Sequence, residues 1–94
     1  MPGTIRIFMV VSEMLSNEQL ERHLSTISGV EFAQVKGDGY HYQLTIVSDV
    51  FLGKSKVVRQ QWVYAQLKDY ITTGRLHALS MTTWTKNEWE EQHG

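Results

Sequence analysis

The tripeptide Gly37-Asp38-Gly39 limits the folds open to this chain more than any other segment, because a strand pattern lies on each side of it. Before it, Val30 to Lys36 (VEFAQVK) reads as a short strand. After it, Tyr42 to Ser48 (YQLTIVS) alternates Tyr42, Leu44 and Ile46 with Gln43 and Thr45, the period-two signature of a half-buried strand. Glycine supplies positive φ at no steric cost, so Gly37 to Gly39 form a turn and the two runs pair as a hairpin. An antiparallel pair with one apolar face has to bury that face against a second layer.

The flanking segments supply the layer. Ser16 is an N-cap with Gln19 three residues on, the spacing of a capping box. Leu20, Leu24 and Ile27 then form a helical stripe, and Gly29 ends it. From Val57 to Ile71 the pattern is helical again, with Val63, Tyr64, Leu67, Tyr70 and Ile71 on one face. Trp62 and Ala65 fall off that face, and Val57 and Val58 do not continue it, which predicts a short turn or separate helical piece ahead of the main helix. Trp62 either packs against the N-terminal extension or is an exposed anchor for a partner. Gly74 closes the helix. Leu76 to Trp84 is a third strand on which His77, Leu79 and Met81 point the same way. Thr85 and Glu88 form a second capping box, opening a short helix through Trp89. Trp84 and Trp89 are expected to cover one end of the sheet. The expected architecture is an α+β two-layer domain, a three-stranded sheet with its helices packed on one face.

Ninety-four residues make one domain. Residues 16–94 are expected to form it; residues 1–15 follow no pattern and are read as an extension, either an extra edge strand or loose. An apolar share of 41% with 20% charged residues is that of a globular chain, not a disordered one. The apolar run Ile5 to Val11 is about half the length that crosses a bilayer. It is not flanked like a secretory signal either, so no membrane association and a cytoplasmic location are expected. The chain has no cysteine, which removes disulfides, a thiol nucleophile, zinc ribbons and any iron–sulfur cluster held by its own thiolates. No two of His23, His41, His77 and His93 stand at a chelating helical spacing, and His23 and His93 read as surface residues. Ser48 and Asp49 lack a third group to complete a triad, and no carboxylate pair suggests acid–base work, so no enzymatic activity is expected. Net charge is −1, yet residues 50–68 carry Lys54, Lys56, Arg59 and Lys68 with no acid. Such an asymmetry suits a phosphate footprint or an acidic protein partner, although many basic runs are only solvated faces.

Two stretches carry a resemblance to a known family: HYQLTIVSDVFLGKSKVVRQQWVYAQLKDYI and RLHALSMTTWTKNEW. They contain a strand ending Val47-Ser48, a turn with Phe51 and Gly53, then Lys54, Val57 and Arg59, then Val63, Tyr64 and Leu67. His77, Ala78 and Leu79 follow on the third strand, and Thr85, Glu88 and Trp89 at the end. This pattern resembles the BolA family. Arg59-Gln60-Gln61, where BolA proper tends to read Arg-His-Arg, and the short hairpin resemble its acid-response, IbaG-like subgroup.

The resemblance implies a class II KH-like fold and association with monothiol glutaredoxins, a [2Fe–2S] cluster bridging the two proteins and none being bound by the isolated chain. It implies His77 as a cluster ligand, since that residue falls on the family's ligand position. A second ligand is implied in the hairpin, usually around Asp38; His41 flanks that loop, the alternative being a solvated strand-edge histidine. Lys54, Lys56 and Arg59 of the basic stretch are the expected partner-binding or nucleic-acid-binding residues, and the resemblance implies DNA binding and transcriptional control of stress and cell-shape responses for parts of the family. The Gly53-Lys54-Ser55-Lys56 turn is similar to a nucleic-acid-clamping KH loop but lacks its second glycine. Alone, the chain is expected to be a monomer or weak homodimer.

Overall fold

The computed structural model describes residues 15–76 and 78–93. Most of the expected extension, residues 1–14, lies outside the described residues, as does position 77. The elements run α1 (Asn17–Ser25), β1 (Val30–Gly37), β2 (His41–Ser48), a 3-10 turn (Asp49–Phe51), α2 (Lys56–Gln66), α3 (Lys68–Thr72), β3 (Ala78–Trp84) and α4 (Lys86–His93). The sheet order is β1-β2-β3, with β1 and β2 antiparallel and β2 and β3 parallel. A parallel neighbour needs a crossover, and α2 with α3 provides it. This is the expected α+β two-layer domain with a three-stranded mixed sheet.

Both capping boxes form. The Gln19 backbone N–H donates to Ser16 Oγ at 3.0 Å while Ser16 N–H donates to the Gln19 side-chain Oε1 at 2.9 Å. At the other end Thr85 N–H donates to Glu88 Oε1 at 2.8 Å and Glu88 N–H to Thr85 Oγ1 at 3.2 Å. Each pair satisfies donors that a helix start leaves without an intrahelical partner. Lys86 N–H also donates to Asp49 Oδ1 at 3.0 Å, tying the head of α4 to the 3-10 turn.

Alternation along the strands then decides what is buried. Ala33 and Val35 of β1 and Tyr42, Leu44 and Ile46 of β2 turn toward the helices and join Leu20, Leu24, Phe51, Val63 and Leu67 in one core. Leu15 is part of it. Its carbonyl accepts a hydrogen bond from the Tyr42 hydroxyl. Leu79 and Met81 of β3 are half-buried and pack against the same cluster. On the second face of the sheet, Phe32 stacks on Trp89 at 5.4 Å and Trp84 meets Trp89 edge-on at 6.1 Å. The helix α4 thus covers one end of the sheet, as expected of Trp84 and Trp89.

Several local expectations change. Helix α1 ends at Ser25, and Gly29, at φ 92°, belongs to the following turn. Gly37 is the last residue of β1; the turn is Asp38 to Tyr40, and only Gly39 has positive φ (97°). Gly37 is required for a different reason: a Cβ there would lie 2.4 Å from the His41 carbonyl oxygen. The helical break falls at Leu67, after the long helix and not before it. Because one continuous wheel does not apply across it, Val63 and Leu67 are buried while Tyr64 and Ile71 are exposed. Trp62 turns inward and meets Phe51 edge-on at 5.6 Å. His23 is not a free surface residue: its Nε2 lies 3.1 Å from the Gln66 carbonyl and its ring meets Tyr70 edge-on, joining α1 to the α2–α3 junction.

Both outer edges of the sheet carry side-chain caps. On β1, Val35 N–H donates to Glu21 Oε2 and the Gly37 carbonyl accepts from Asn17 Nδ2, each at 3.1 Å. On β3, the Thr83 carbonyl accepts from Arg59 Nη1 at 3.3 Å.

Candidate functional site

The chemistry-bearing residues separate into two groups at opposite ends of β2. The first surrounds the hairpin. Asp38 Oδ1 accepts from the backbone N–H groups of Tyr40 and His41, both at 2.9 Å, which fixes the turn and starts β2 at His41. His41 N–H contributes most and Tyr40 N–H next; together they hold Asp38 below the usual carboxylate range. His41 is exposed and lies in a shallow hollow with Lys36, Asp38, Gln43 and Ser80. Burial raises the Tyr42 hydroxyl above its ordinary pKa, so it stays a proton donor at neutral pH.

His41 pairs in the parallel register with Ala78, whose N–H donates to the Tyr40 carbonyl at 3.3 Å. His77, the principal expected ligand, lies outside the described residues. Its neighbours in sequence do not: Leu76 is buried, with its N–H on the Tyr70 carbonyl, and Ala78 opens β3. Among the described residues no group of three or more histidine, cysteine, aspartate or glutamate side chains gathers.

The second group is the basic turn between the 3-10 turn and α2. Gly53, at φ 72°, reverses the chain, and Ser55 caps α2 by accepting from Val58 N–H at 3.3 Å. Lys56 is exposed and Lys54 half-exposed. Arg59 does not join them on the surface. It is 9% exposed, with Nε donating to the Lys54 carbonyl at 2.9 Å. Its Nη1 and Nη2 donate to Glu88 Oε1 and Oε2 at 2.7 and 3.3 Å, and the guanidinium lies 5.8 Å from the Phe51 ring centre. Hydrogen bonding from Arg59, with a further bond from Thr85 N–H, pulls Glu88 down to about 2. Arg59 therefore builds the turn and does not extend the lysine surface.

Sequence reasoning missed this pairing. A signal was present, since Arg59 stands one helical turn before buried Val63, on the inward stripe. Glu88 was legible as a cap, but nothing local shows that its carboxylate also takes a guanidinium from α2.

The family model for BolA-like proteins matches residues 17–88. The acid stress protein IbaG of Escherichia coli (strain K12) is 36% identical over 75 residues, covering 80% of this chain and 89% of that protein. The DNA-binding transcriptional regulator BolA of Vibrio cholerae is 31% identical over 85 residues, covering 89% of this chain and 79% of that one. A bolA protein homologue from Coxiella burnetii superposes with a TM-score of 0.73 at 27% identity, covering 82% of this chain and 99% of the other.

Proposed function

Because this chain belongs to the BolA-like family, which is non-enzymatic and has the class II KH-like fold, we propose that it works as a partner protein. It binds a monothiol glutaredoxin and shares or relays a bridging [2Fe–2S] cluster in iron–sulfur trafficking and stress response, in the cytoplasm. The cluster is cargo supplied with the partner's thiolates; this chain, having no cysteine, offers imidazole nitrogen. The observation that carries the reading is the register of β2 on β3: exposed His41 pairs with Ala78, the residue that follows His77 in the chain. His41, at the hairpin end of the sheet, and His77, which precedes its partner Ala78 in sequence, are the imidazole donors we assign to a shared cluster. Neutral imidazole is a competent iron ligand, and replacing thiolate with it raises a cluster's potential. Only the neutral ring binds metal, so the bridged form weakens as pH falls.

The test is the visible absorption and circular dichroism of the mixed, iron-loaded complex made with His77→Ala and with His41→Ala. Loss or strong alteration with His77→Ala is expected. An unchanged spectrum sinks that ligand assignment, and loss with His41→Ala alone moves the ligand to the hairpin. The likeness to a DNA-binding regulator favours one second reading, in which the basic turn contacts phosphates. Lys54 and Lys56 are its contacts, and Arg59 holds the turn that presents them.

A further inference from the structure

Gln19, Arg22, His23 and Thr26 stand at i, i+3, i+4 and i+7, so they fall on one face of the first helical segment. They form one wall of a hollow of about 370 Å³ between α1 and α3, with Tyr70 and Arg75 on the other. Gly74, at φ 75°, turns the chain back after α3. Arg75 N–H then donates to the Tyr70 carbonyl at 3.0 Å, and the Arg75 guanidinium lies 5.5 Å from the Tyr70 ring centre. Two guanidinium groups and an imidazole thus line one space. The groups that would repel an anion there are turned away or covered. Among the described residues no carboxylate lines the hollow: Glu21 reaches to the β1 edge, where it takes the Val35 N–H, and Glu18 and Asp69 lie outside the lining. The carbonyls ending α1 carry its negative pole. Those of Arg22 and His23 both accept the Thr26 N–H, and the His23 carbonyl also takes the Thr26 hydroxyl at 2.7 Å.

We propose that this hollow binds the phosphate group of a small molecule, weakly at neutral pH and more tightly in acid. Guanidinium forks match the oxygens of a tetrahedral oxyanion two at a time. A doubly charged group gains most where several cations converge, and the volume leaves room for the small molecule that carries it. His23 is the variable part. Its Nε2 lies 3.1 Å from the Gln66 carbonyl, which can only accept, so in the neutral ring Nε2 carries the proton and Nδ1 a lone pair. Acid adds a second N–H and a third positive charge to a setting that otherwise holds Arg22 from α1, the Gln66 carbonyl from α2, Tyr70 from α3 and Arg75 after it. The site shares no residue with the basic turn or with the histidines assigned to a cluster, and it needs neither partner nor metal.

The experiment is nuclear magnetic resonance titration of the full chain with inorganic phosphate and with sulfate, at constant ionic strength, at about pH 5.5 and about pH 8, on either side of the ordinary histidine range. Sulfate keeps its charge between these values and so isolates the part played by His23. Saturable shifts are expected in the amides of residues 19–26 and 70–75, and sulfate should bind several-fold more tightly at the lower pH. Arg22→Gln, at an exposed position, should weaken binding of both ions about tenfold, and Arg75→Gln should do the same. His23→Gln, which keeps an amide donor for the Gln66 carbonyl, should remove the pH dependence. Lys54→Ala with Lys56→Ala should bind as the parent does. Shifts confined to residues 54–58 would give the anion to the basic turn and overturn the proposal. So would parent-like affinity in Arg22→Gln, or sulfate affinity equal at the two pH values. Tighter binding of malonate than of either ion would make this a carboxylate site and overturn the phosphate assignment. Binding that emerges only in Glu13→Gln, two residues before Leu15, would hand the hollow to the chain's own carboxylate and also overturn it.

Discussion

The Arg59 guanidinium and the Glu88 carboxylate meet at 2.7 Å, joining the first turn of α2 to the first turn of α4 across the end of β3. The same Glu88 oxygen also accepts the Thr85 N–H, so one side chain both caps a helix and closes an ion pair. Glu88→Gln keeps an amide oxygen for the cap and removes the charge together with the second acceptor oxygen that Arg59 Nη2 uses. It should lower stability at neutral pH by about 1 kcal/mol, a modest figure because the carboxylate is 43% exposed and screened by solvent. Since the folded-state value is depressed from 4.5 to about 2, the contribution is complete above the unfolded value and is lost as pH falls through the folded one. Urea midpoints of parent and variant should differ at pH 7 and converge near pH 2; a constant gap would show that the charge is not what matters.

Core truncations should rank by burial. Leu44 is fully enclosed, so Leu44→Ala should cost about 2–5 kcal/mol in chemical denaturation. Leu79 is only half-buried, and Leu79→Ala should fall at or below the lower end of that range. Equal losses would show that β3 is enclosed as fully as β2.

Ser48 is a small residue with a large expected effect. Its hydroxyl, 0% exposed, donates to the Gly29 carbonyl at 2.6 Å and accepts from Val50 N–H. Ser48→Ala removes a partner from both backbone groups without changing the packed volume much. A loss of about 1–3 kcal/mol in thermal or urea unfolding is expected.

The basic turn should separate binding from support. If DNA is bound, Lys54→Ala with Lys56→Ala should flatten the log–log salt dependence of binding by about 0.9 for each phosphate no longer neutralised. Arg59→Gln should instead lower the unfolding midpoint, because its donors hold Lys54, Thr83 and Glu88. A changed salt slope with unchanged stability in Arg59→Gln would return that residue to the surface.

What could be read in advance was local. The capping boxes need only a hydroxyl and a carboxyl or amide three residues apart, and the hairpin needs only alternation around a turn. Even there Gly37 and Gly39 look alike in sequence, yet Gly39 answers to backbone conformation and Gly37 to the closeness of the His41 carbonyl. The break at Leu67 has no proline or glycine to mark it, so a single wheel put Tyr64 and Ile71 inside and Trp62 outside. Arg59 looked like one more surface cation because its partner is 29 residues away in the chain. The histidine roles come from likeness to relatives and not from local physics; a strand-end imidazole has the same sequence whether it binds metal or water.

The caps on the outer strands also bear on how copies of this chain meet. Growth of fibres by strand addition needs a free row of N–H and carbonyl groups as a template. A second molecule approaching β1 would first have to strip Glu21 from Val35 and Asn17 from Gly37, and one approaching β3 would have to displace Arg59 from Thr83. Those side chains belong to helices already anchored in the core, which holds them in place over the strand edges. Resistance to strand addition thus rests on side chains outside the core, and substitutions at Glu21 or Asn17 should lower it without touching a single core residue.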